Sequence, residues 1–172
     1  MSTSLYDATV ATFIQTLGAV EGFLSRGFDH CRDSAIDPAS IVEARLYHDM
    51  LPFRFQVVST ISHSIGAIEG VRKGAFSPPP TPELDYSGLQ QAVTEARDAL
   101  RKLSAEEING FEGRDMKFTF RDRSIPFTAE NFLLSFSIPN FYFHASIAYG
   151  ILRSKGVPLG KRDFMGQLRI KT

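Results

Sequence analysis

The stretch Phe132–Leu152, FLLSFSIPNFYFHASIAYGIL, decides the fold. It is the longest apolar-rich run in the chain, yet Ser135, Ser137, Pro139, Asn140 and His144 interrupt it, which makes it a poor membrane span. Phe132, Phe136, Asn140, Phe143, Ile147 and Ile151 recur at steps of three and four, the 3.6-residue period of a helix with one face in a core. Thr128 with Asn131 opens this helix, and Lys155-Gly156-Val-Pro158 closes it at about Arg153. Pro139 has no N–H, so the helix must kink there or lose one hydrogen bond.

An apolar stripe of that length needs partners, and three upstream segments supply them. Leu5, Thr9, Phe13, Leu17, Val20 and Leu24 form the first, with Ser4 or Thr3 as cap and Gly27 as stop. Asp37-Pro38 opens a short helical turn through about Leu46, with Asp as N-cap and Pro at N1. The second long helix begins near Asp49, because Pro52 is tolerated only in a first turn, and ends near Lys73-Gly74. Its stripe is Met50, Phe53, Val57, Ile61, Ser64 and Ile68. Phe76-Ser-Pro-Pro-Pro-Thr-Pro82 is then a stiff, extended connector. The third helix covers Asp85 to Leu103, with Leu89, Val93, Ala96, Leu100 and Leu103 on one face, and Ser104 with Glu107 reads as a capping box for a brief turn. Met116–Phe120 and Ser124–Phe127, around Arg121-Asp122-Arg123, read as a small β-hairpin, and the residues after Pro158 as an irregular tail. The expected fold is therefore all-α, a four-helix bundle with a small β-hairpin between helices three and four. The segments on either side of the proline run would make two weak cores, so residues 1–172 read as a single domain.

Composition narrows the function. Nineteen Lys and Arg balance nineteen Asp and Glu, for a formal net charge of zero. No basic excess is left for nucleic acid or for an anionic membrane surface. A 43% hydrophobic fraction with fifteen Phe excludes disorder. The first residues lack the basic and apolar regions of a secretory signal, and the single cysteine, Cys31, excludes an internal disulfide; a cytoplasmic protein is the expectation.

There is no phosphate loop, dinucleotide fingerprint, nucleophile elbow or HExxH. What stands out is a polar set on two helices. At 100° per residue Asp49, Gln56, Thr60 and His63 share a strip at the edge of the second helix's apolar face, with Asp49 doubling as a helix cap. Asn140 and His144 lie one turn apart on the fourth helix. A pocket between the two helices, with Phe53, Tyr142, Phe143 and Tyr149 as apolar walls, would take a small organic ligand. A metal reading is weaker. The four histidines include no HxxxH pair, and His48 and His63 would stand about 22 Å apart on a continuous helix. A zinc or nickel ion would need His144 with His48 or His63, completed by an amide or by a carboxylate such as Asp49.

Several segments carry a family resemblance: Pro139-Asn-Phe-Tyr-Phe-His144, Ala148-Tyr-Gly-Ile-Leu-Arg153, Gly156-Val-Pro-Leu-Gly-Lys-Arg-Asp-Phe164, Leu5-Tyr6 with Phe13, and Ala44-Arg-Leu followed by Asp49-Met-Leu-Pro52 and Gln56. They resemble the family called domain of unknown function 1993, itself similar to the DinB/YfiT-like superfamily. The resemblance implies a four-helix bundle, often a homodimer, and in many relatives a three-histidine divalent-metal site. One of those ligands comes from helix two and two come from an HxxxH pair on helix four. In this chain Asn140 stands where the first histidine of that pair would be, His144 keeps the second, and His48 stands near the helix-two position. The leading expectation is a protein that binds a small neutral ligand through Asn140 and His144, with Gln56, His63, Asp49 and Tyr149 beside them. The alternatives are a metal-dependent transferase or hydrolase with a degenerate site, and a non-catalytic dimeric interaction protein.

Overall fold

A computed structural model describes residues 3–171. The chain is mostly helical with one small three-stranded sheet. Helices α1 (Leu5–Ala8) and α2 (Val10–Asp33) form the first run, capped by the Ser4 side chain, which accepts from the Asp7 N–H. α2 does not stop at Gly27. A side chain at Gly27 would collide with the Tyr86 hydroxyl and come within 3.1 Å of Leu152, so this glycine is there for close packing. Tyr86 uses the space to donate to the Leu24 carbonyl at 2.9 Å. Gly27→Ala should therefore cost about 2–4 kcal/mol in urea unfolding, through overpacking and a lost buried hydrogen bond. Adding Tyr86→Phe should recover part of that loss, and an unchanged midpoint in the single variant would refute the close approach.

α3 (Pro38–Val42) takes its cap from Asp37, whose side chain accepts from the Ala39 N–H. It ends four residues before Leu46, and an exposed connector carries His48 and Asp49 to α4 (Phe53–Ile61). Asp49 is thus outside the helix and is not its cap. Extended Pro52 sets the entry, and the Phe53 N–H donates to the Ala44 carbonyl at 2.8 Å. A π-helical turn, Ser62–Gly66, joins α4 to α5 (Ala67–Lys73), which Gly74 closes in the left-handed conformation at φ +73°. β1 (Ala75–Phe76) follows, then residues 77–85 without regular structure, then α6 (Tyr86–Arg101), capped by Asp85. In α7 (Ala105–Asn109) Ser104 accepts from the Glu107 N–H, but the Glu107 carboxylate turns to Arg72, so only half of the capping box forms.

β2 (Asp115–Phe120) pairs antiparallel with β3 (Arg123–Thr128), and β1 joins β2 in parallel, Phe76 opposite Phe118. The last long run is α8 (Ala129–Asn131), a second π-helical segment (Phe132–Ser137) and α9 (Ile138–Ser154). α2 packs on α6 and α4 on α9, with α4 also touching α6 and α2 touching α9. Phe13, Phe23, Phe53, Phe132 and Phe141 are fully buried between them. The tail is not irregular: α10 (Lys161–Met165) lies on α2, where Arg26 pairs with Asp163 and Gln15 donates to the Met165 carbonyl at 3.0 Å.

On the last run the structure departs from the apolar stripe. The periodicity predicts Phe143 in the core, but it is 56% exposed, while Phe141, Ala145, Ala148 and Leu152 are buried. The π segment explains this. Each π turn takes an extra residue, so the face downstream rotates by about 100° relative to a continuous α-helix. Among the described residues no helix is long and apolar enough to cross a membrane.

Candidate functional site

The two π segments meet through the rings of His63 and Phe136 and flank a cavity of about 550 Å³. Such turns stand disproportionately at functional sites, since they push side chains off the regular helical face. His63 comes from the first, Phe136 from the second, and Asn140 and His144 from the two turns after it. Phe76 and Phe118 of the sheet close the back, with ring centres 6.3 Å apart and Phe118 4.5 Å from Phe136. Phe120 forms the rim, and Pro78, Pro79, Pro80 and Thr81 close the side facing solvent. Arg54 holds that proline strap in place. Its guanidinium pairs with Glu83 at 2.8 Å and with Glu43 at 3.2 Å, joining the far end of the strap to the start of α4.

Hydrogen bonds set the roles of the polar wall. Gln56 Nε2 donates to the Leu51 carbonyl at 2.9 Å, so its Oε1 is the acceptor for His144 Nδ1–H at 2.8 Å. That fixes the His144 tautomer and leaves Nε2 as a lone pair. The imidazole of His63 lies nearly parallel to that of His144, 11° from coplanar stacking, with ring centres 5.9 Å apart. His63 is 8% exposed, edged by Phe76 and Phe136 at 5.6 Å each, and its Nδ1 is buried without a partner. Asn140 Nδ2 donates to the Phe136 carbonyl at 2.8 Å, which leaves Oδ1 as its free acceptor. Burial lowers the pKa of His63 to about 4, with the His144 charge as the second cause, and burial lowers His144 to about 4 as well. Both rings are neutral at pH 7. Among the described residues no charged side chain lines the cavity.

The residues picked out in the sequence therefore separate. His63, Asn140 and His144 share the cavity, and Gln56 stands behind His144 as its anchor. Thr60 is fully buried beneath, donating to the Gln56 carbonyl at 2.8 Å. Asp49 and His48 sit exposed on the connector, His48 stacked on Tyr47 at 4.4 Å. Tyr149 faces the opposite side, between Phe23 and Phe164. Phe53 lies in the core, 6.0 Å from Tyr86, and Tyr142 and Phe143 point outward; none of these aromatics lines the cavity. The walls are instead the proline strap, Phe55, Phe76, Phe118, Phe120 and Phe136. Alternation in Met116–Phe120 was the available signal for two of them.

The donor set does not fit a divalent metal. Two imidazoles line the cavity, one short of the three nitrogens of an open three-histidine site. Asn140 replaces a third nitrogen with a weak amide oxygen, and among the described residues no group of three His, Cys, Asp or Glu side chains is placed to hold an ion. Cys31 is buried, and burial raises its thiol pKa, which suits an inert core residue. A larger groove, about 690 Å³, runs between α2, α6 and the C-terminal tail, but its three arginines are engaged, Arg97 by Glu21, Arg101 by Asp98 and Arg169 by the Asp7 carbonyl.

Among solved structures, a DinB family member protein from Shewanella denitrificans, known from a crystal structure, superimposes with a TM-score of 0.77 at 23% identity, over 98% of this chain and 95% of that one. That likeness shows the fold. No curated protein matches the chain. The profile of the family described as "Domain of unknown function (DUF1993)" matches residues 5–165, and the chain belongs to that family.

Proposed function

We propose that the cavity between α4 and α9 binds a small, uncharged organic molecule with an apolar body. The observation that carries this reading is the lining. Aromatic rings and prolines surround a polar wall of two neutral histidines, one asparagine and the hydroxyls of Ser59, Ser62 and Thr81, with no charged side chain among the described residues. Removing a charged ligand from water costs several kcal/mol that nothing here would offset, whereas a neutral one loses little. In this reading the four long helical runs are a four-helix bundle of DinB type, with the hairpin and the strap enclosing one end of the α4–α9 seam. A homodimer, which the family resemblance implies, is part of the reading, and light scattering tests it separately. The metal-dependent alternative would require an ion held by His63, His144 and an amide oxygen, a set with two nitrogen ligands and no carboxylate.

Thermal shift against small neutral aromatics provides the test. A ligand at a hundred times its Kd adds about 2.7 kcal/mol, which for a chain of this size raises Tm by roughly 5–10 °C. His144→Ala and Asn140→Ala should each weaken the response by tenfold or more. If benzoate or benzylamine shifts the protein as much as their neutral counterparts do, the reading fails.

A further inference from the structure

The tautomers of the two histidines narrow the ligand class further, resting on the cavity reading above. The Leu51 carbonyl orients the Gln56 amide, and Gln56 takes the only proton of a neutral His144, so His144 offers the ligand an acceptor and nothing else. His63 offers the complement. Its Nδ1 is buried and unpartnered, and a buried N–H without an acceptor costs more than a buried lone pair on a ring already packed between phenyl groups. The proton therefore sits on Nε2, the nitrogen that is not buried and is free to meet a ligand. The ring centres stand 5.9 Å apart in near-parallel planes. Both rings line the same cavity, so one small polar group of a ligand can be offered the His63 donor and the His144 acceptor together.

We propose that His63 and His144 form a donor–acceptor clamp for one hydroxyl group, and that the cavity's ligands are neutral aromatic alcohols or phenols. The hydroxyl oxygen accepts from His63 Nε2–H and its proton points to His144 Nε2. A hydroxyl is the smallest neutral group that both gives and accepts from one atom. An ether satisfies only His63, a methyl group satisfies neither, and a carboxylate brings a charge and no proton. Asn140 Oδ1, whose Nδ2 is held by the Phe136 carbonyl, is a second acceptor for a neighbouring hydroxyl. The ring of the ligand rests against Phe118, Phe120 and the Pro78–Pro80 strap. Gln56 acts through His144 and is a positioning residue.

The experiment compares phenol, toluene, anisole and benzoate, nearly matched in shape, by ligand-observed NMR titration of the intact chain. Phenol should bind at least ten times more tightly than toluene or anisole, with benzoate weakest. In Gln56→Met the cavity stays and the tautomer lock goes, so the preference of phenol over anisole should collapse to about threefold or less while toluene affinity is unchanged. His144→Gln, which restores an acceptor, should keep part of the preference. Equal affinity for phenol and toluene overturns the clamp and leaves the cavity reading standing. Equal affinity for phenol and anisole overturns the role of His144. Failure of all four probes to bind overturns both.

Discussion

Phe141→Ala is expected to lower the free energy of unfolding by about 3–5 kcal/mol, whereas Phe143→Ala, two residues on, should change it by less than about 0.5 kcal/mol. Phe141 is fully buried and meets Phe13 edge to face with ring centres 4.8 Å apart, so truncation removes both apolar burial and a specific ring contact. Phe143 is 56% exposed and loses almost nothing. Urea denaturation followed by circular dichroism separates the two, with a midpoint drop of roughly 1.5–2.5 M for the first. A larger loss for Phe143→Ala than for Phe141→Ala would mean that the helix keeps a continuous α register and that the π segment at Phe132–Ser137 does not form.

That pair of residues also marks how far the sequence can be read. Asp37, Ser104 and Thr128 cap their helices through the side chains their positions suggested, because a cap is a local arrangement of three or four residues. The stripe of the first run holds from Leu5 to Leu24, all buried, because nothing in α2 interrupts its period. On the last run the period itself changes, and an extra residue in a π turn leaves no mark in the pattern of apolar residues. Gly27 misled for a related reason: glycine ends helices, but here its role is set by Tyr86, a residue far along the chain.

The site follows the same division. His63, Asn140 and His144 are legible together because Asn140 lies within the apolar stripe of its helix and the two histidines lie at the edges of theirs. The anchoring of His144 by Gln56 and Leu51 depends on how two helices face each other, and the walls come from a proline strap and a hairpin brought in from elsewhere. No periodicity encodes where a loop settles. Asp49 and Tyr149 drop out because the helix entry moved to Pro52 and because Tyr149 lies on the α2 side of its own helix.

Acidification from pH 7 to pH 4.5 should remove about 2–4 kcal/mol of stability, with the His63–His144 pair as the main cause. Both imidazoles titrate near 4 in the fold and near 6.5 when unfolded, so the unfolded chain binds more protons throughout that interval. The stabilising contribution of the neutral pair is complete above about pH 6.5 and disappears as the pH falls through about 4. His63 supplies most of it, and the share of His144 is smaller because part of its ring faces solvent. The carboxylates of Asp85, Glu130 and Asp163 are lowered below their ordinary range and lose their contribution at still lower pH, outside this window. Urea unfolding at the two pH values gives the difference directly. His63→Phe, which keeps a ring between Phe76 and Phe136, should reduce it by half or more. A pH-independent midpoint between 7 and 4.5 would show that the rings are hydrated rather than buried.

The proline strap has a second consequence, for the behaviour of the protein at high concentration. A three-stranded sheet has two open edges, and each open edge is a template on which another chain can add a strand. Here one edge strand is only Ala75–Phe76, and the chain passes at once into Pro78, Pro79 and Pro80, which have no N–H to offer. The other edge strand carries Pro126 in its middle, opposite Lys117. The residues that wall the cavity thus also keep the sheet from growing, so a change of strap composition that alters ligand preference would simultaneously expose the chain to strand addition and aggregation.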